Sequence, residues 1–154
     1  MSMFRDSFVI CFFTFHLFTL NLVFSQEVIE TGNIEVTIEN IDTEEKGKLV
    51  IMLFDSEDTW LEAGQYYKIL KIKPLIETEK VIFTKIPYGS DYAIEVIHDE
   101  NENLKIDMRI LPYPKPKEGV GVSNNTFRAG PPEYQKAKFE LKQKFISLTI
   151  HMKY

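Results

Sequence analysis

Apolar and polar residues alternate with a period of two in two well-separated parts of this chain. Between residues 34 and 39, Ile and Val alternate with Glu and Thr, and between residues 146 and 152, Ile, Leu and Met alternate with Ser, Thr and His. This period predicts strands with one buried face and one solvated face. Residues 48–54 are almost continuously apolar, and the length of that run predicts a central strand rather than a helix.

Four more short apolar runs complete the pattern. They cover residues 66–73, 80–85, 92–98 and 137–141, and only residues 55–63 have a helical character. Seven short strands separated by turn signals, without repeated strand-helix alternation, predict an all-β fold. We expect an antiparallel two-sheet β-sandwich, either immunoglobulin-like or prealbumin-like. The strand order cannot be derived from the pattern.

One long connection interrupts the strands. Residues 99–133 are polar or rich in proline and show no period that would suit a core. Connections of this length are uncommon in compact domains and are either functional or disordered. Residues in this connection are therefore the first candidates for function.

The N-terminal segment has the character of a signal peptide. Arg5 precedes a mostly apolar stretch over residues 8–24, and Ser25 suits a cleavage site. We predict that residues 1–25 are removed and that residues 26–154 form a single domain in the periplasm or outside the cell. An uncleaved membrane anchor is the alternative, because the apolar stretch falls just short of the length that spans a bilayer.

Cysteine content and charge restrict the chemistry of the exported part. Cys11, the one cysteine, lies in the predicted signal peptide, so the mature chain has neither disulfides nor a thiolate metal site. The net charge of −5 at pH 7 is a poor match for the phosphates of nucleic acid. We expect a monomer that stays off the membrane after cleavage, with a protein or glycan of the cell envelope as its partner.

Oxygen-bearing side chains are regularly spaced directly after the strand predicted at residues 92–98. Asp99, Asn101, Asn103 and Asp107 hold the first, third, fifth and ninth positions of a cation-binding loop, and Lys105 offers its carbonyl from the seventh. Alternating oxygen ligands suit Ca²⁺. We therefore predict a loop stabilised by Ca²⁺. The alternative is a solvated turn in which these side chains cap their own backbone.

Two positions of this loop depart from the complete motif. Leu104 stands where the sharp turn favours glycine, and Ile110 stands where a bidentate glutamate is expected. The sequence therefore predicts weak cation binding, or a further ligand from Glu100, Glu102 or Glu118.

The single tryptophan follows a group of acidic residues. Glu57 and Asp58 precede Trp60, and an aromatic platform beside paired carboxylates is typical of sugar-binding and glycosidase sites. The structural alternative is a short helix, capped by Asp55 or Ser56, that packs Trp60 against the core.

A second group of candidates lies in and before the proline- and glycine-rich residues 112–132. Ser123, Asn124 and Asn125 belong to an ordered surface loop of the kind that often binds a ligand, or else to a disordered flap. His98, next to Asp99, is a candidate general base or metal ligand. A histidine at the end of a strand is also commonly structural.

Taken together, these segments resemble a family of small exported bacterial proteins, domain of unknown function 2141. The matching features are Val50–Phe54, Trp60, residues 86–89, His98–Asn101, Asn103, Lys105, Asp107, Pro116, Glu118, Ser123–Asn125, residues 131–132 and residues 137–139. The resemblance implies export and a β-rich domain, and it implies no reaction, substrate or ligand. Leu104 departs from the glycine that the family pattern places there.

The leading hypothesis is a non-enzymatic binding module. Its binding surface would combine the Ca²⁺ loop with His98, Glu118, Ser123–Asn125 and Trp60. A hydrolase of envelope sugars or peptides is the first alternative, with His98 and Asp99, or Glu57 and Asp58, as its acid and base. A structural accessory domain without a ligand is the second.

Overall fold

The computed structural model describes residues 30–112, 114–128 and 130–154, most of which lie in strands or in the turns between them. The predicted signal peptide and Cys11 lie outside the described residues. The strands in chain order are β1 (Thr31–Glu39), β2 (Lys48–Phe54), β3 (Lys68–Ile72), β4 (Glu79–Pro87), β5 (Asp91–Asp99), β6 (Met108–Arg109), β7 (Lys115–Pro116), β8 (Val120–Val122), β9 (Phe139–Glu140) and β10 (Phe145–His151). A 3-10 helix (Ser123–Asn125) and a short α-helix, α1 (Tyr134–Ala137), lie between β8 and β9.

The strands form two main sheets and one small hairpin. One sheet has the order β10-β1-β4, the other has the order β3-β2-β5-β8 with β9 added beside the start of β5, and β6 pairs with β7. The predicted all-β class with antiparallel sheets is confirmed. One pair differs, because β1 and β10 run parallel. The chain reaches β10 from β9, which belongs to the other sheet.

The main core lies between the two sheets. Alternate residues of β1, β2 and β5 point into it, as a period of two requires. Fully or almost fully buried side chains include Ile34, Val36, Ile38, Leu49, Ile51, Leu53, Tyr92, Ile94 and Val96. Each such side chain contributes roughly 2 kcal/mol by leaving water.

A second apolar surface covers the opposite face of the β2-β5 pair. Val50, Met52 and Phe54 of β2 and Ile97 of β5 point away from the main core and are still buried. The segments that pack on them are loops rather than a third sheet, and they contribute Trp60, Tyr66 and Ile106. The continuous apolar run of β2 therefore reflects burial on both faces of the strand.

The long connection contains more structure than its sequence predicts. It holds β6, β7 and β8, and β8 extends the larger sheet by pairing with β5. Strands of two or three residues are too short to show a period, which explains why the pattern does not reveal them. Residues 55–63, in contrast, form turns and no helix. No helix in the described part of the chain is long and apolar enough to cross a membrane.

Candidate functional site

The loop after β5 is held together by its own side chains. Asp99 is 1% exposed, and its two carboxylate oxygens accept the N–H groups of Asn103 at 3.0 Å and Leu104 at 2.8 Å. The side-chain oxygen of Asn101 accepts the Asn103 N–H at 3.1 Å, and that of Asn103 accepts the Lys105 N–H at 2.7 Å. These bonds have the pattern of the self-capping turn that is the alternative to a cation site.

The structure also brings three of the predicted ligands together. Nδ2 of Asn101 lies 2.7 Å from one Asp107 oxygen, and Nδ2 of Asn103 lies 3.4 Å from the other. A cation would require both amides to turn their oxygens toward it. Within the described ranges, no group of three or more His, Cys, Asp or Glu side chains is arranged to hold a metal ion. The Ca²⁺ loop therefore stays a prediction.

Glu118 lies against this loop, although eleven residues separate it from Asp107. Its side chain is buried, and its two oxygens accept the N–H groups of Glu100 at 3.2 Å and Asp107 at 3.0 Å. Glu118 thus joins the first and last turns of the loop. The sequence predicts Glu118 as a further ligand of the cation. In the structure, the observed contacts of its carboxylate are to backbone N–H groups.

Leu104 occupies a backbone conformation that favours glycine. Its φ angle is 61°, in the left-handed region that costs a residue with a Cβ roughly 1 kcal/mol or more. Glycine adopts this conformation without that cost. The Leu104 side chain lines the large cavity described below, so this chain has an apolar group at a position where glycine would have none.

The Ca²⁺ prediction is testable by thermal unfolding with excess chelator and then with excess Ca²⁺. Binding to the folded state alone would stabilise the protein by about 2.7 kcal/mol at a hundredfold excess over Kd. Asp107→Asn should abolish the shift, because both asparagine amides converge on this carboxylate. The exposed Asp58, changed to Asn, is the matched control. An unchanged melting temperature of the parent protein in Ca²⁺ would withdraw the prediction.

His98 and Asp99 point to opposite faces of β5, as consecutive strand residues do. The His98 ring is fully buried, its Nδ1 lies 2.8 Å from the Tyr154 hydroxyl, and its Nε2 has no hydrogen-bond partner among the described residues. Burial lowers the pKa of His98, which favours the neutral ring. The two residues therefore do not share one cleft as an acid-base pair would.

Ser123, Asn124 and Asn125 tie several elements together through backbone groups. Ser123 Oγ accepts the Ile94 N–H at 2.9 Å and donates to the Ala137 carbonyl at 2.6 Å. Asn124 Nδ2 donates to three carbonyls at the end of α1, and Asn125 bonds β10 through both atoms of its amide. Ser123 bonds β5 at Ile94, Asn124 bonds the end of α1, and Asn125 bonds β10, so the observed bonds of these side chains join elements of the fold. Their predicted part in a binding surface stays a prediction.

Trp60 also has a structural environment. Its ring packs edge-on against Phe54 at 5.1 Å and Tyr134 at 5.9 Å between centroids, and its Nε1 donates to the Pro132 carbonyl at 2.8 Å. Its neighbours Glu57 and Asp58 are exposed. The hydrolase alternative stays untested, and its four candidate acid-base residues are all absent from the described lining of the cavity.

A cavity of about 1050 Å³ lies on the outer face of the larger sheet. Sites for small ligands commonly measure roughly 300–1,000 Å³, so this one is large for the size of the chain. The strands that form its floor contribute Met52, Phe54, Ile69, Glu95, Ile97, Val120 and Val122. Loops form its walls with Leu61, Ala63, Tyr66, Leu104, Ile106, Met108, Pro116, Thr126, Phe127, Pro131 and Pro132, among others.

Glu95 is the polar exception on this apolar floor. It lies on β5 opposite Met52 of β2 and Val122 of β8, and it is only 6% exposed. No hydrogen bond or ion pair connects its carboxyl to another described residue. Burial raises the pKa of Glu95 to about 7. No described residue supplies a partner for this carboxyl, and it faces a space large enough for a ligand.

Neither Glu95 nor the cavity is predicted by the sequence pattern. The available signal was a single carboxylate within residues 92–97, where the odd and the even positions are otherwise apolar. In a strand covered on both faces, such a residue must be buried. The cavity itself had no comparable signal, because its walls come from separate loops.

Comparison with protein families gives one match. The family model described as an uncharacterized protein conserved in bacteria (DUF2141) matches residues 36–148, which span β1 to most of β10. No curated protein and no solved structure matches the chain significantly. The family match covers the loop after β5, Glu95 and most of the cavity lining. This chain belongs to the DUF2141 family of uncharacterised bacterial proteins.

Proposed function

We propose that this protein is a non-enzymatic binding module that takes up a largely apolar small molecule in the cavity above β2, β5 and β8. The observation that carries the proposal is the unpartnered Glu95 carboxyl on an apolar cavity floor. A ligand that covers this surface meets one carboxyl, and burial favours the neutral form of that carboxyl. Export through the N-terminal segment remains part of the proposal.

The lining favours an apolar ligand over a glycan. The hydroxyl groups of a sugar lose hydrogen bonds to water on binding and need replacements from the protein. The floor offers one polar side chain, Glu95, among Met, Phe, Ile and Val residues. A mainly apolar molecule would gain roughly 25 cal/mol for each Å² of apolar surface that leaves water.

The lining also favours binding over catalysis. The residues described around the cavity include no histidine, cysteine or serine. A hydrolase acting there would depend on the two carboxylates of the lining, Glu62 and Glu95. Glu95, with its pKa raised to about 7, has no second titratable group within hydrogen-bonding distance in the described part of the chain. Its environment suits recognition of a ligand.

Uptake of the neutral fluorescent dye N-phenyl-1-naphthylamine tests this function. Val122→Phe places a larger side chain on the floor, and we expect it to raise the Kd of the dye at least tenfold because the ring occupies the space of the ligand. Ile82→Phe is the matched control, since Ile82 is 47% exposed and is not among the lining residues. Equal dye binding by both variants, or none by the parent protein, would contradict the proposal.

A further inference from the structure

Basic side chains from separate loops surround the cavity. Lys105, Lys115, Arg128 and Lys153 are part of its lining. The acidic residues in the lining are Glu62 and the floor residue Glu95. This excess of positive charge is unusual on a chain whose net charge is −5. The mouth of the cavity therefore differs in sign from the protein as a whole.

Two of these cations have no counter-ion among the described residues. Lys105 and Lys115 make no ion pair with any residue of the described ranges. The Lys153 ammonium, in contrast, lies 3.8 Å from the centre of the Phe127 ring, and Arg128 pairs with Glu133. Lys105 is exposed and Lys115 is half-buried, so both ammonium groups are available to a charged group at the mouth.

The apolar floor and the basic mouth of the cavity together suit a ligand with one apolar end and one anionic end. We propose that the cavity binds a single-chain anionic amphiphile, with its alkyl chain on the floor formed by β2, β5 and β8 and its carboxylate, sulfate or phosphate head between Lys105 and Lys115. This inference rests on the proposed function and specifies the class of ligand. Charge complementarity at the mouth decides the sign of the head group.

Glu95 is compatible with an alkyl chain only in its neutral form. Burying an ionised carboxylate under hydrocarbon costs far more than burying a protonated one. The charged groups that line the same cavity are Glu62, Lys105, Lys115, Arg128 and Lys153, and desolvation remains the cause of the raised pKa of Glu95, about 7. Affinity for the amphiphile should therefore fall as the pH rises through about 7.

A cationic amphiphile is the main rival. Its ammonium would pair with ionised Glu95, but it would have to pass four basic side chains that line the cavity. The two ligands respond oppositely to pH, because ionisation of Glu95 favours an ammonium and opposes a buried alkyl chain. This difference makes the sign of the head group measurable.

Displacement of bound N-phenyl-1-naphthylamine by decanoate, decanol and decylamine separates these possibilities. At pH 6.5 and low salt we expect decanoate to displace the dye at a concentration at least tenfold lower than either of the others. The Lys105→Gln/Lys115→Gln variant should lose most of this advantage and leave decanol unchanged. The control is Lys46→Gln/Lys73→Gln, because both lysines are exposed, make no ion pair with described residues and do not line the cavity.

Each outcome has a distinct meaning. Equal displacement by the three compounds would overturn the anionic ligand and leave the apolar cavity function intact. A preference for decylamine that grows with pH would overturn it in favour of the cationic ligand. Failure of the dye and all three compounds to bind would refute the proposed function itself.

Discussion

Glu95→Gln should stabilise the ligand-free protein by about 3 kcal/mol at pH 8 and by almost nothing at pH 4.5. The pKa of Glu95 is raised to about 7 in the folded protein from an ordinary value of 4.5, and desolvation is the cause. The folded state therefore binds this proton more tightly than the unfolded chain does. The stabilising contribution of protonated Glu95 is complete below pH 4.5 and is lost as the pH rises toward about 7. Each unit of difference between the folded and unfolded pKa corresponds to about 1.36 kcal/mol of unfolding free energy.

Glutamine removes this loss because it cannot ionise. The measurement is the difference in unfolding free energy between variant and parent, taken from urea titrations at several pH values from 4.5 to 8. The difference between variant and parent cancels the contribution of His98. Because burial lowers the pKa of His98, this histidine destabilises the folded state as the pH falls below 6.5, whereas Glu95 does so as the pH rises. A difference that does not change with pH would show that Glu95 is already ionised at no cost in the folded protein.

Glu77→Gln is the matched control for this experiment. Glu77 is exposed, and its side chain bonds no described residue. Its replacement should shift the unfolding free energy by less than about 0.5 kcal/mol at every pH. A similar pH-dependent gain in this variant would attribute the effect to overall charge rather than to burial of Glu95.

Asp99→Ala should lower the unfolding free energy by about 3 kcal/mol at pH 7. The Asp99 carboxylate is 1% exposed and accepts the N–H groups of Asn103 and Leu104. Hydrogen bonds to a carboxylate are worth roughly 1.5–3 kcal/mol each. Their loss leaves the Leu104 N–H without this partner, whereas the Asn103 N–H keeps its bond to the Asn101 side chain. The backbone around Leu104 would also lose support for its left-handed conformation.

Unfolding in urea with excess chelator measures this effect without any contribution from a metal ion. Asp58→Ala is the control, because Asp58 is exposed and its side chain bonds no described residue. A cost for Asp99→Ala within 1 kcal/mol of the control would contradict the capping role. A cost that appears only when Ca²⁺ is present would assign Asp99 to the cation loop instead.

Features that depend on hydrogen bonds between sequence neighbours were easier to predict than features that depend on residues far apart in the chain. Asp99, Asn101 and Asn103 were identified from spacing alone, because a loop that caps itself depends on neighbours within five residues. Ser123 is predicted to belong to a binding surface, and its observed partners Ile94 and Ala137 are distant in sequence. Spacing could therefore suggest a binding role and could not show that its hydroxyl joins two elements.

The sequence by itself determined the longer strands, because the alternation in β1 and β10 and the two-sided apolar run of β2 are local consequences of strand geometry. It also determined the acidic net charge and the turn-forming character of the loop after Asp99. Only the tertiary structure decided that β10 lies parallel to β1, and that Glu95, Lys105, Lys115 and Lys153 surround one cavity. These contacts are between segments far apart in the chain. A local period or spacing depends only on neighbouring residues and therefore cannot predict which distant segments will pack together.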